Sequence, residues 1–161
     1  MKSEMPSVAI IDYGLCNLGS IRRAIEICGA RVLIASHPDE ISNASHIVLP
    51  GVGSFPQAVQ NLKLNGMLSV LQELAGKGLP LLGICLGMQL LASDSLEDGH
   101  TQGLGLIPGS VKLLVPDRPQ ERVPHIGWNS VIFGNKDDPL LNSLPSGSNF
   151  YFVSQLSFCT A

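Results

Sequence analysis

A chain of 161 residues has the length of one domain with a substantial core. Its apolar fraction is an ordinary 45% but only 14% of its residues are charged, against about 25% in an average soluble domain. Such a chain buries strands on both faces, as parallel sheets do, or covers part of its surface with a partner. A net charge of −3 offers no basic field, which speaks against nucleic acid and anionic membranes as partners.

No apolar stretch reaches membrane-spanning length, and Met1-Lys2-Ser3-Glu4-Met5-Pro6 lacks the apolar segment of a signal peptide. Cys16, Cys28, Cys85 and Cys159 show neither a Cys-x-x-Cys pairing nor ligand spacing with a histidine. A reduced, cytoplasmic protein without metal or cofactor is the expectation.

The β-branched run Val8-Ala9-Ile10-Ile11, ending at Asp12-Tyr13-Gly14, predicts a first buried strand. Asn17 is placed to cap the helix that follows. Leu18, Ile21, Ala24, Ile25 and Cys28 recur at helical spacing, and Gly29 sits where a glycine stop belongs. Cys16 and Cys28 read as packing residues near or on this helix. Arg31–Ile34 and Ile47–Leu49 read as the second and third strands, the third ended abruptly by Pro50-Gly51-Val52-Gly53. Leu68–Ala75 predicts a helix closed by Gly76 and Gly78. Strands alternating with helices predict a mostly parallel sheet with helices on both faces, an α/β fold.

Leu79-Pro80-Leu81-Leu82 is an apolar run of strand length, and Met88-Gln89-Leu90-Leu91-Ala92 is a good helix former. Between them stands Gly83-Ile84-Cys85-Leu86-Gly87. A strand that becomes a helix over one residue needs glycine on both sides, and the residue at the tip is lifted out of the sheet. This is the nucleophile-elbow pattern with cysteine for serine. A helix N-terminus there favours a thiolate over a thiol, although a free cysteine is more commonly a small buried hydrophobe. Attack on a carbonyl requires donors for the oxyanion; the Leu86 amide is one by position, and Gly51-Val52-Gly53 is the candidate loop for a second.

After Ser93 the pattern changes. Gly103, Gly105, Pro108, Gly109, Pro116 and Pro119 punctuate short strands such as Val111–Val115 and Trp128–Phe133, which read as antiparallel hairpins at the edge of the same domain. Asp94, Glu97 and Asp98 read as a polar loop. His37, His46 and His100 read as solvated, and His125, just before Gly127-Trp128, as a positioning or interface residue.

Several of these motifs carry a resemblance. Ile11-Asp12-Tyr13-Gly14 with Asn17-Leu18, Leu49-Pro50-Gly51-Val52-Gly53, Leu82 through Leu91 and Gly103-Leu104-Gly105-Leu106-Ile107-Pro108-Gly109 resemble a class I glutamine amidotransferase. Val123-Pro124-His125-Ile126-Gly127-Trp128-Asn129 and Phe150-Tyr151-Phe152-Val153 narrow the resemblance to the glutaminase subunits of imidazole glycerol phosphate synthases, from histidine biosynthesis. The resemblance runs from Val8 to Val153 in the family's order. It implies that Cys85 is the nucleophile, giving a glutamyl thioester and ammonia. Gly51, Val52 and Leu86 would then form the oxyanion hole, and Gln89 would help seat glutamine. It also implies a partner, a (β/α)8-barrel synthase subunit that receives the ammonia, with Asn17, His125, Trp128 and Asn129 toward it.

The chain departs from the family at one end. The family completes its triad with a histidine and a glutamate in a His-Pro-Glu stretch, which these 161 residues do not contain. The expectation is a single amidotransferase domain over 1–161, incomplete at its C-terminus and inactive or nearly so. The family continues Phe-Val with His-Ser-Tyr, whereas Val153 here is followed by Ser154-Gln155-Leu156-Ser157-Phe158-Cys159. Codons chosen to fit those residues read His-Ser-Tyr when shifted by one base, so residues 154–161 are expected to be non-native, the product of a frameshift. The alternative reading is a non-catalytic module that docks on the synthase subunit and regulates it.

Overall fold

Residues 5–41, 43–116, 122–134 and 138–159 are described by the computed structural model. Met1–Glu4, Pro119 and the last two residues of the tail lie outside them. The chain divides into two compact units, one of Met1–Lys112 with Phe158–Ala161 and one of Leu113–Ser157.

In the first unit, the β-branched segment becomes β1 (Ser7–Ile11), every residue of which is buried. It pairs in parallel with β2 (Arg31–Ala35) on one side and β3 (His46–Leu49) on the other; β3 pairs in parallel with β4 (Leu81–Gly83), giving the order β2-β1-β3-β4. Successive side chains of a strand face opposite sides. Val8, Ile10 and Val48 therefore share one face, where Leu18, Ile21 and Ile25 of α1 (Leu18–Ile27) pack against them with Val32 and Ile34. Ala9, Ile11, Ile47 and Leu49 point the other way and are just as buried. Two helices bury apolar stripes as well: α2 (Phe55–Leu64) with Phe55, Ala58, Val59 and Leu62, and α3 (Met67–Gly76) with Met67 and Leu71. Each such side chain removed from water is worth about 1.5–3 kcal/mol.

α1 ends as its sequence predicts, with Gly29 at φ +84° after the last helical amides. Asn17 does occupy the N-cap position, but its side chain makes no capping bond, its backbone lying at φ −95°, ψ 85° rather than in the extended region caps use. Cys28 is exposed rather than packed, because it lies beyond Ile25, the last residue of α1 that packs against the sheet.

Beyond β4 lies α4 (Leu86–Gln89), one turn only. The predicted longer helix stops because the Leu90 and Leu91 carbonyls accept the Leu104 and Ile107 amides instead of continuing the helical ladder. The chain passes into β5 (Ala92–Ser95), so Asp94 lies in a strand rather than a loop. A second sheet follows in the order β10-β7-β5-β6, with β6 (Thr101–Gln102), β7 (Ile107–Leu113) and β10 (Leu156–Cys159). The predicted Val111–Val115 hairpin strand is this β7, and it pairs in parallel with β5.

In the second unit, β8 (His125–Val131) and β9 (Ser148–Ser154) form an antiparallel pair with Trp128 opposite Tyr151. The whole is an α/β fold, mostly parallel, with a C-terminal antiparallel sheet.

Candidate active site

Cys85 occupies the bend between β4 and α4 with φ +57° and ψ −119°, a conformation left-handed in φ that costs a side-chain-bearing residue about 1–3 kcal/mol. The residue is exposed. A side chain at either flanking glycine would clash with backbone: at Gly83 with Met88 Cα and at Gly87 with the Leu49 carbonyl oxygen. The elbow is closed by the Gly87 amide donating to Ile84 and the Met88 and Gln89 amides to the Cys85 carbonyl, and tied to the end of β3 by Ile84 N–H to the Leu49 carbonyl, 3.0 Å. Strand, strained tip and one-turn helix are thus built as the glycine spacing requires.

Beside the elbow runs the loop after β3. Gly51 is in such close approach that a Cβ there would lie 3.0 Å from Leu86 Cβ and 3.2 Å from the Gly87 amide nitrogen, and would overlap the Tyr13 hydroxyl. The Gly51 and Leu86 amides have no backbone acceptor among the described residues, whereas the Val52 amide donates to the Leu15 carbonyl at 2.8 Å. Gly51 is thus packed against Leu86 and Gly87 of the elbow, whereas the Val52 N–H is already occupied. Gln89 stands one helical turn after Cys85 and is half-buried.

Four residues without a sequence-derived role complete this frame. The buried Tyr13 hydroxyl donates to the Pro50 carbonyl at 2.7 Å, and Asn61 of α2 donates to the Tyr13 carbonyl at 2.9 Å. Leu15 supplies the acceptor for Val52, and the Glu97 carboxylate accepts the Phe55 amide at 2.8 Å, holding the start of α2. Asp12 accepts the Gly14 amide in a local turn. The Tyr13 phenol is pushed up from its ordinary range by burial, with Cys16 and Cys85 adding to the shift if they carry negative charge. Burial likewise raises the Cys16 thiol, whose sulfur lies 3.5 Å from the Ile11 carbonyl and 3.9 Å from that of Pro50. Only Tyr13 had a signal in the sequence, its place in the Asp12-Tyr13-Gly14 motif; the others depend on contacts distant along the chain.

The remaining site residues lie elsewhere. Asn17 is exposed at the start of α1. In the second unit the pleat separates Trp128 from His125 and Asn129. Trp128 shares a face with Ile126, Tyr151 and Val153, all exposed, and its ring meets Tyr151 edge-on at 5.5 Å. His125 and Asn129 share the other face, 3.0 Å apart, with Phe152 beside the imidazole. His37, His46 and His100 are exposed, His46 bonded to Ser45 and His100 near Asp94. Among the described residues no cluster of His, Cys, Asp and Glu is placed to hold a metal ion.

Comparison with known proteins gives the chain a family. The family profile "Glutamine amidotransferase class-I" matches residues 9–155, and the chain belongs to that family. Within it, the chain is 46% identical over 149 residues to imidazole glycerol phosphate synthase subunit HisH of Moorella thermoacetica, covering 92% of this chain and 69% of that one. It is 45% identical to the HisH subunit of Gloeobacter violaceus, covering 94% and 66%. The chain thus spans about two thirds of the length of these curated relatives. Among solved structures, PurLQS from Thermotoga maritima superposes with a TM-score of 0.71 at 20% identity, covering 98% of this chain and 70% of that one. A glutamine amidotransferase from the same organism superposes with a TM-score of 0.65 at 19% identity, covering 96% and 63%. No helix among the described residues is long and apolar enough to cross a membrane.

Proposed function

We propose that the chain is the glutaminase part of an imidazole glycerol phosphate synthase, acting in the cytoplasm in histidine biosynthesis, with Cys85 as its nucleophile. The observation that carries this is an exposed cysteine at positive φ, walled by two glycines that tolerate no Cβ and set against the Gly51 loop. A positive-φ tip is the cost of presenting a nucleophile above a sheet.

In the reaction, the Cys85 thiolate attacks the side-chain carboxamide carbon of glutamine. Negative charge develops on the carboxamide oxygen, and N–H donors aimed at that point stabilise it. Among the described residues, the Leu86 and Gly51 amides have no competing backbone acceptor. Val52 joins them only after its N–H leaves the Leu15 carbonyl, which requires the Gly51–Val52 peptide to turn over, a motion glycine at 51 permits. Collapse of the intermediate breaks the C–N bond, releasing ammonia and leaving a glutamyl thioester, which water hydrolyses to glutamate. Gln89, one turn along α4, helps seat the substrate.

Both proton transfers need a base and acid. The 161-residue chain contains no His-Pro-Glu stretch to supply the family's histidine and glutamate. A polypeptide of these 161 residues alone is expected to hydrolyse glutamine at least about a thousandfold more slowly than a complete triad.

The ammonia acceptor is a (β/α)8-barrel synthase subunit bound through Asn17 and the β8–β9 hairpin residues His125, Trp128 and Asn129. The exposed apolar face of that hairpin fits such a role. Glutamine hydrolysis tests the whole reading. It should be negligible for this chain with or without the synthase subunit, and should appear when a His-Pro-Glu segment is joined after Val153. It should vanish again in Cys85→Ala. A fused chain that binds the synthase subunit and still releases no ammonia would instead favour a docking module.

A further inference from the structure

The direction of the Gly51 N–H is set by the peptide it belongs to. A trans peptide is planar, with its C=O and N–H pointing in opposite directions, so whatever grips the Pro50 carbonyl also fixes the direction of the Gly51 N–H. That carbonyl accepts the Tyr13 hydroxyl at 2.7 Å, inside the protein. Tyr13 is itself pinned: its ring is buried, and its carbonyl accepts Asn61 of α2. Two residues further on, Leu15 holds the next peptide through the Val52 amide. The turn after β1 thus grips two consecutive peptides of the loop beside Cys85, the first by a side chain and the second by backbone.

We propose that Tyr13 is a positioning residue for the oxyanion site: its hydroxyl, bonded to the Pro50 carbonyl, locks the Pro50–Gly51 peptide against the elbow, so that the Gly51 N–H keeps its direction when the Val52 N–H leaves the Leu15 carbonyl. The inference rests on the glutaminase reading of Cys85 and adds to it a side chain that never touches substrate. Gly51 and Tyr13 are matched, since the hydroxyl fills the space a side chain at 51 would occupy. Burial raises the phenol pKa further above neutrality, so the hydroxyl stays a donor at neutral pH.

Tyr13→Phe removes one oxygen and keeps the ring. Two probes of Cys85 separate aim from folding. A ketone analogue of glutamine is attacked through an oxyanion, whereas iodoacetamide alkylates the sulfur by direct displacement of iodide and forms none. Tyr13→Phe should slow the ketone adduct at Cys85 by at least about tenfold and leave the iodoacetamide rate at Cys85 within about twofold, as expected if only oxyanion donors are affected. Equal rates with both probes, or equal loss of both, overturn the proposal. A wild-type protein whose Cys85 ignores the ketone but reacts with iodoacetamide sinks the glutaminase reading itself, and Tyr13's role with it. If Tyr13→Phe does not fold, the wild type still decides. With only two tyrosines in the chain, the Tyr13 hydroxyl proton can be assigned by NMR. It should exchange slowly with water; rapid exchange would exclude the bond.

Discussion

At the scale of single residues, the site is defined by what cannot carry a side chain. Gly87→Ala drives a methyl group into the Leu49 carbonyl, and rigid backbone cannot yield as a side chain would; the expected loss is about 3 kcal/mol or more, read as a lower urea midpoint. Gly76 is the contrast. It lies in α3 with open space around it, so Gly76→Ala should raise stability by about 0.5–1 kcal/mol through helix propensity. The buried Tyr13 phenol and the half-buried Cys16 thiol make stability fall at alkaline pH. Tyr13 is raised above its ordinary 10.0 mainly by burial, and Cys16 above 9.0 for the same reason. Above those values the unfolded chain loses protons that the folded chain keeps, so their contribution to stability is complete below pH 9.0, declines through 9.0 and then 10.0, and is lost as each folded-state pKa is passed. The thermal midpoint of Tyr13→Phe should fall less steeply with pH above 10.0 than that of wild type.

At the scale of elements, what the sequence reveals depends on how local the cause is. β1, β2, β3, α1 and α3 follow from β-branched runs, helical spacing and glycine stops, and they appear within a residue or two of expectation. The elbow is legible because two glycines bracket one cysteine. α2 escaped the reading because its start is stabilised from afar: Ser54 makes no side-chain capping bond, and the first amide is satisfied by Glu97. β5 escaped because Ala92–Ser95 has the composition of a helix end and becomes a strand only by pairing with β6 and β7. Those partners are chosen by tertiary contacts, not by propensity. The same holds at the site, where Leu15 and Asn61 act through contacts that no spacing rule records. Phe55 buries its ring at the head of α2, and Phe55→Ala should cost about 3–5 kcal/mol in thermal or urea unfolding.

At the scale of the whole molecule, low charge and an uncovered hairpin belong together. Ile126, Trp128, Tyr151 and Val153 form one exposed apolar face on β8 and β9, Trp128 with 69% of its surface in water. A large aromatic side chain at the centre of such a face is the usual anchor of an interface. Trp128→Ala should weaken binding of the synthase subunit by about 2 kcal/mol or more, measured by calorimetry, without changing how Cys85 reacts. The pleat predicts a graded response: His125 and Asn129, on the opposite face, should cost less than Trp128 if that face alone meets the partner.

The most direct measurement is where a glutamine-like electrophile lands. A diazoketone analogue of glutamine is incubated with the purified chain, and the adduct is mapped by peptide mass spectrometry. The expected result is a single adduct on Cys85, suppressed by excess glutamine and absent from Cys85→Ala, with Cys16 and Cys28 untouched. Label distributed over the exposed thiols, or label on Cys85 that glutamine does not compete away, would contradict the assignment of this elbow to glutamine.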